Sequence, residues 1–296
     1  MSEKTTVKAW VLLFALSLIW GSSFILIKRG LVGLSPMEVG ALRILSAGIV
    51  MLPFAIRRFN RIPLASLKYV VIVGLAGSLI PSFLFAFAQT RIPSSLTGVL
   101  NAVTPIFTIL ISVFIYNQKK SPKIFFGIIL GFIGTSILMT SGSTSSLSGF
   151  NAYALLILAA TILYAVNGNV IKFHLSGVSS VTIASVSLVV GGFMSGIYLL
   201  VFTEFFTSIW VSNDVVQASG YIVLLGILGT AVALIIFNNL VSLTDPVFTS
   251  SVTYIIPVIA ILWGIWDGET LNASHFIGIF MILLGVYITN RLSRVK

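Results

Sequence analysis

The 296 residues are 57% hydrophobic and 8% charged, with a mean hydropathy of +1.11 and a formal charge of +10. That is too little polar surface to cover a water-soluble globule of this size, so composition points to an integral membrane protein. The seventeen basic residues sit in short clusters between apolar runs, which argues against a nucleic-acid partner, and the lack of cysteine excludes disulfides, thiolate catalysis and cysteine-bound metal.

A hydrocarbon core of about 30 Å demands apolar runs of roughly 18–25 residues. Ten such runs are predicted as helices, at 9–29, 36–57, 66–89, 94–116, 122–140, 150–172, 179–204, 217–240, 246–266 and 274–291. Lys4 and Lys8 ahead of the first run resemble the opening of a signal peptide. The run is too long for a signal core, however, and ends in Lys28-Arg29 without a small-residue cleavage site, so it is read as a retained span. The longest connections, 58–65, 141–149 and 205–216, leave no room for a soluble domain.

With the N-terminus placed in the cytoplasm, thirteen basic residues fall inside: Lys4, Lys8, Arg57, Arg58, Arg61, Lys68, Lys119, Lys120, Lys123, Lys172, Arg291, Arg294 and Lys296. Lys28, Arg29 and Arg91 fall outside, and Arg43 lies within a span. This bias predicts that both termini are cytoplasmic. A cytoplasmic membrane of bacterial type is the expected location.

The chain matches itself. At a displacement of 144 residues Trp20 falls on Tyr164, Ser23 on Asn167, Ile27 on Ile171, Lys28 on Lys172 and Ser35 on Ser179. At 152, Gly74 falls on Gly226, Gly77 on Gly229, Phe85 on Phe237, Thr97 on Thr249 and Pro105 on Pro257; at 151, Gly127 falls on Gly278 and Gly134 on Gly285. Five helices per repeat is an odd number, so the second repeat enters the membrane from the opposite face. The expectation is an all-α membrane protein of ten transmembrane helices in two inverted five-helix repeats, 1–140 and 141–296.

The residues W-G-S-S-F at 20–24, S-P at 35–36 and A-L-R at 41–43, together with the two five-helix halves, resemble the ten-helix EamA-type branch of the drug/metabolite transporter superfamily. The likeness covers nearly the whole chain. It implies a secondary transporter of small metabolites, often an exporter, working by alternating access.

Several groups are candidates for lining a solute cavity. Pro105 and Pro257 cannot donate to the carbonyls of Asn101 and Thr253, and freed backbone at mid-membrane depth must face protein or a water-filled cavity. Asn101 and Tyr254 lie alongside. Trp20 with Ser23, and Tyr164 with Asn167, pair an aromatic and a small polar group on one helical face, which suits a metabolite with apolar and polar parts. Packed kinks and an interfacial aromatic belt are the structural alternatives for these two sets. The amides of Gln89, Asn238 and Asn239 fit a gate or inter-helix hydrogen bonds equally.

Arg43 is open to three readings: snorkelling to headgroups, a bond to free carbonyls, or a fixed charge facing the cavity and a solute anion. Gly127, Gly131, Gly134, Gly278 and Gly285 suit close helix packing, with a homodimer contact as the minor reading, while Gly191, Gly192 and Gly196 are expected to weaken and bend the seventh helix.

Glu38, Glu204, Asp245, Asp267 and Glu269 all fall at helix ends, as do His174 and His275. No metal or cofactor is implied, and with no H-E-x-x-H motif and no acid at depth an intramembrane enzyme lacks its machinery. The expected partners are a small-molecule solute and the lipid bilayer. A non-transporting sensor or assembly subunit is the alternative function.

Overall fold

The computed structural model describes residues 3–140, 152–243 and 251–293. Asp245, Thr249, the 141–149 connection and the side chain of Asn238 lie outside the described residues. Among those described the chain is helical, with no strand. The described residues hold ten apolar helices in succession: α1 (Val7–Gly30), α2 (Pro36–Arg61), α3 (Leu64–Ala88), α4 (Ser94–Phe114), α5 (Ile124–Thr140), α6 (Tyr153–His174), α7 (Ser180–Phe202), α8 (Asn213–Phe237), α9 (Val252–Trp266) and α10 (Ala273–Leu292). Eight are long and apolar enough to cross a membrane, and α5 and α9 are shorter. The outer surface carries large apolar side chains such as Phe14, Phe126, Phe193 and Leu200, the opposite of a soluble protein and the expected coat for lipid contact.

Helix starts are written locally. Ser35 precedes Pro36 and Glu38 in a complete capping box, with the Ser35 hydroxyl accepting from the Glu38 N–H and the Glu38 carboxylate accepting from the Ser35 N–H. Ser179, its sequence match, caps α7 in the same manner by accepting from the Thr182 N–H.

Four helices are irregular inside. α1 turns at Ser22, between segments ending at Gly21 and beginning at Ser23. Helices α3 and α8 each widen into a π segment, over Leu75–Leu79 and Leu225–Val232. In α4 the helix stops at Asn101 and restarts at Thr104, with Pro105 in the first turn of the new segment. Pro105 therefore opens a helix and does not kink a continuous one, as proline's fixed φ and missing N–H favour.

Helix α1 packs on α8 and α9, while α6 packs on α3 and α4. Two further pairs, α2 with α7 and α5 with α10, lie along each other at glycine-sized distances. A Cβ added at Gly48 would stand 2.8 Å from the Leu188 carbonyl, and one at Gly192 would stand 3.2 Å from the Ile44 carbonyl. Likewise a Cβ at Gly127 would meet the Gly285 carbonyl at 2.8 Å, and one at Gly134 the Gly278 carbonyl at 2.7 Å. Lipid supplies no hydrophobic drive between helices, so such close backbone approach carries the dispersion energy of association. Gly192 is thus a contact residue in a continuous helix, a different role from the weakening and bending that its composition suggests.

Gly48→Leu should overfill this contact, at a cost of about 1–3 kcal/mol. Gly220, whose added Cβ would meet nothing within 4 Å, supplies the control. Thermal unfolding in detergent should show a lower Tm for Gly48→Leu and little change for Gly220→Leu. Equal Tm values would remove the glycine contact from the determinants of the fold.

Candidate functional site

A cavity of about 580 Å³ lies between the helices, with walls drawn from α1, α2, α3, α4, α6, α7, α8 and α9. Of the residues singled out on sequence, Trp20, Ser23, Arg43, Asn101, Tyr164, Asn167 and Thr253 line it. Pro105, Tyr254 and Pro257 do not. The Tyr254 hydroxyl instead accepts from Asn290 Nδ2 at 2.9 Å, its ring lies 6.5 Å from Tyr287 on α10, and Pro257 is buried in α9. Gln89, buried at the end of α3 with neither amide atom paired, is also off the lining.

The walls are mostly aromatic and aliphatic. Trp20 lies 5.7 Å from Phe237, and Tyr164 stacks on Phe85 at 5.9 Å, which in turn meets Phe24 edge-on at 6.0 Å. Sequence pairing found Phe85 and Phe237 as repeat matches but not as wall residues. The irregular helices supply the polar fittings. Trp20 Nε1 donates to the Gly229 carbonyl in the α8 π segment at 3.1 Å, and the Asn101 carbonyl that Pro105 leaves free accepts from the Thr104 hydroxyl at 2.7 Å.

Arg43 is the one charged residue among the described lining residues. Its Nε donates to the Thr230 hydroxyl at 3.3 Å, and the Tyr164 phenol interacts with its guanidinium. Among the described lining residues no carboxylate stands with it. Arg43 thus stands in the cavity wall, bonded within the protein rather than to a helix-end carbonyl. The Oδ1 atoms of Asn101 and Asn167 are buried without a hydrogen-bond partner, leaving two acceptors in the same walls. Burial of a polar atom without a partner costs free energy, which a solute donor recovers.

Toward one end the cavity reaches Ile171, Ser180 and Phe237, at or near the ends of their helices. The other end is tied shut. Lys28 Nζ stands 2.7 Å from both Asp267 Oδ2 and Glu269 Oε1, and Arg29 pairs with Asp267. Glu269 also caps the start of α4: its Oε1 accepts from the Ser94 N–H and hydroxyl at 2.9 and 2.8 Å, and its Oε2 from those of Ser95 at 3.0 and 2.6 Å. Gly268 has φ of +85°, a conformation that lets the tight turn aim both flanking carboxylates inward. The Asp267 and Glu269 side chains are 8% and 7% exposed, so this is a shielded cluster. Sequence reading counted Lys28 and Arg29 for topology and placed Asp267 and Glu269 at helix ends without joining them, because the partners are too distant along the chain for any local pattern to pair them.

The model of the EamA-like transporter family matches residues 7–140 and again 151–291. The chain is a member of that family. The inner membrane transporter YedA of Escherichia coli K12 is 28% identical over 93% of this chain and 88% of its own length. A transporter of Archaeoglobus fulgidus is 26% identical over 96% and 99%, and a probable amino-acid metabolite efflux pump of Salmonella typhimurium LT2 is 24% identical over 91% and 90%. A crystal structure aligns over 97% of both chains with a TM-score of 0.64 at 18% identity, a likeness of fold. This EamA-family chain is accordingly a multi-pass membrane transporter and not an enzyme.

The Glu269 cluster predicts a pH signature for the transporter. Burial alone would raise the carboxyl, but hydrogen bonds from Lys28, Ser95 and Ser94 outweigh it and hold its pKa at about 2, against an ordinary 4.5. A folded-state value below the unfolded one gives stability that is complete above the unfolded value and is lost as pH falls through the folded one. Glu269→Gln should lower Tm near neutral pH, and the gap to wild type should narrow as pH falls from about 5 toward 2. A gap that is constant across that range would assign the effect to packing.

Proposed function

We propose that this transporter carries small zwitterionic or anionic metabolites such as amino acids out of the cytoplasm, by alternating access between inverted halves 1–140 and 141–296. The observation that carries the reading is Arg43 in a cavity wall that holds no carboxylate among its described residues and also presents two unpaired amide oxygens. A solute carboxylate suits the guanidinium, an ammonium suits Asn101 and Asn167 Oδ1, and an apolar body suits the walls of Trp20, Phe85 and Phe237.

Inversion is supported by the reciprocal packing. Gly77, where a Cβ would meet Asn167, and Gly229, where one would meet Ser23, exchange roles under the sequence matching; so do the glycine contacts of α2 with α7 and of α5 with α10. Export is supported by the name of the Salmonella relative, and the charge bias predicts that the end reached by Ser180 and Phe237 is the cytoplasmic one. The solute then enters from the cytoplasm, and release requires the Lys28–Glu269 cluster to part.

Two measurements test this. Purified protein in liposomes should take up labelled amino acids above protein-free vesicles. Arg43→Gln should raise the apparent KM about 10- to 100-fold, as expected for a charge-assisted bond worth roughly 1.5–3 kcal/mol, without lowering the amount of folded protein. Loss of folded protein in parallel with transport would assign Arg43 to structure, and flux of a neutral solute alone would overturn the zwitterion reading. For topology, an impermeant thiol reagent should label Val211→Cys and not Ser121→Cys in whole cells; the reverse pattern would turn the cavity mouth to the outside.

A further inference from the structure

We infer that Gly168 sets the upper size limit of the solute by keeping open a hollow that a side chain fills at the sequence-matched position in the other half. The inference rests on the reading of the cavity as the solute site.

Trp20, Ser23, Phe24 and Ile27 follow the i, i+3, i+4, i+7 spacing of one helical face, and all four line the cavity. Displaced by 144 residues, Tyr164, Asn167, Gly168 and Ile171 present the same face on α6 and line it too. Three of the pairs are of similar kind: aromatic, small polar, isoleucine. The fourth sets a phenylalanine against a glycine.

Phe24 is 6% exposed and plugs the closed end, packing on Phe85 and against Gly98, where a Cβ would stand 3.0 Å from Phe24 Cδ2. At Gly168 there is no plug, and an added Cβ would meet nothing within 4 Å. The other two lining glycines differ. A Cβ at Gly77 would stand 2.6 Å from Asn167 Cγ, and one at Gly229 would stand 2.7 Å from Leu225 Cδ1, so neighbouring side chains already occupy their space.

Packing therefore accounts for Gly77 and Gly229 but not for Gly168. Glycine inside a helix weakens it relative to alanine, and α6 gains no close helix approach in return. What the missing side chain leaves is room in the wall, one turn from the Tyr164–Phe85 stack and beside the unpaired Asn167 Oδ1. A solute whose polar end engages Arg43 and Asn167 has this hollow available for a bulky side chain.

Because the chain has no cysteine, thiol labelling can probe the hollow directly. Gly168→Cys in detergent should react with benzyl methanethiosulfonate, forming the mixed disulfide and releasing methanesulfinate, with Tm unchanged. Gly77→Cys should lower Tm before any reagent is added. In liposomes, Gly168→Leu should cut the ratio of phenylalanine to alanine uptake at least ten-fold. Failure of Gly168→Cys to accept the benzyl group, or a Tm loss like that at Gly77, would overturn the hollow. Equal loss of phenylalanine and alanine uptake would overturn the size limit. A wild-type protein that moves neither amino acid would overturn the proposed solute class instead, and the labelling would still decide the hollow.

Discussion

In hydrocarbon every backbone N–H and C=O must find a partner within the protein, since each one left over costs several kcal/mol. This constraint explains where the helices are irregular and what surrounds them. The turn at Ser22, the π segments of α3 and α8, and the break in α4 are the places where regular bonding lapses, and residues at or beside each of them line the cavity. Side chains take up what the ladder releases. Trp20 reaches the Gly229 carbonyl, Thr104 the Asn101 carbonyl, and the Ser23 hydroxyl donates to the Ile19 carbonyl at 3.1 Å. The cavity is thus walled by backbone that could not face lipid.

The two ends of the molecule are held by different forces. At the Lys28 end the contact is ionic and directional, joining α1, the start of α4 and the turn after α9 through one carboxylate that receives five hydrogen bonds, one from Lys28 and four from Ser94 and Ser95. An exposed ion pair is worth little, but this carboxylate is shielded and fully engaged, so any conformation open at this end must rehydrate it. Gly264 lets the cluster close, because a Cβ there would stand 2.7 Å from Ser95 Cβ. At the other end the cavity simply extends to Ser180, with no comparable cluster among its described lining residues.

Much of this was legible from spacing. The 3.6-residue period joined Trp20 to Ser23 and Tyr164 to Asn167, and all four line the cavity because residues three apart share a face whatever the tertiary context. The prolines were read from the carbonyls they free at mid-membrane depth, and Tyr254 from its proximity to Pro257. Neither argument gives the direction of a side chain around the helix, and Pro105, Tyr254 and Pro257 lie off the cavity lining while Asn101 and Thr253, on the same helices, are part of it. Arg43 stood between three readings because its partners, Thr230 and Tyr164, come from the other half of the chain. The Asp267–Glu269 cluster was invisible for the same reason.

The duplicated pattern also says what to look for where it fails. Matched positions that keep their chemistry, such as Ile27 and Ile171 or Gly48 and Gly192, serve the walls and the helix contacts that both halves need. On the proposed reading of the cavity as the solute site, matched positions that diverge serve what has no symmetry, as a solute has none. Arg43 matches Ser187, and both line the cavity, so a single positive charge stands on one wall only. Phe24 matches Gly168, so bulk stands near the closed end and space near the open one. Charge on one side and room on another define a direction across the cavity. On the proposed reading, a molecule with a charged end and an uncharged body binds in one orientation, although the sequence around it repeats.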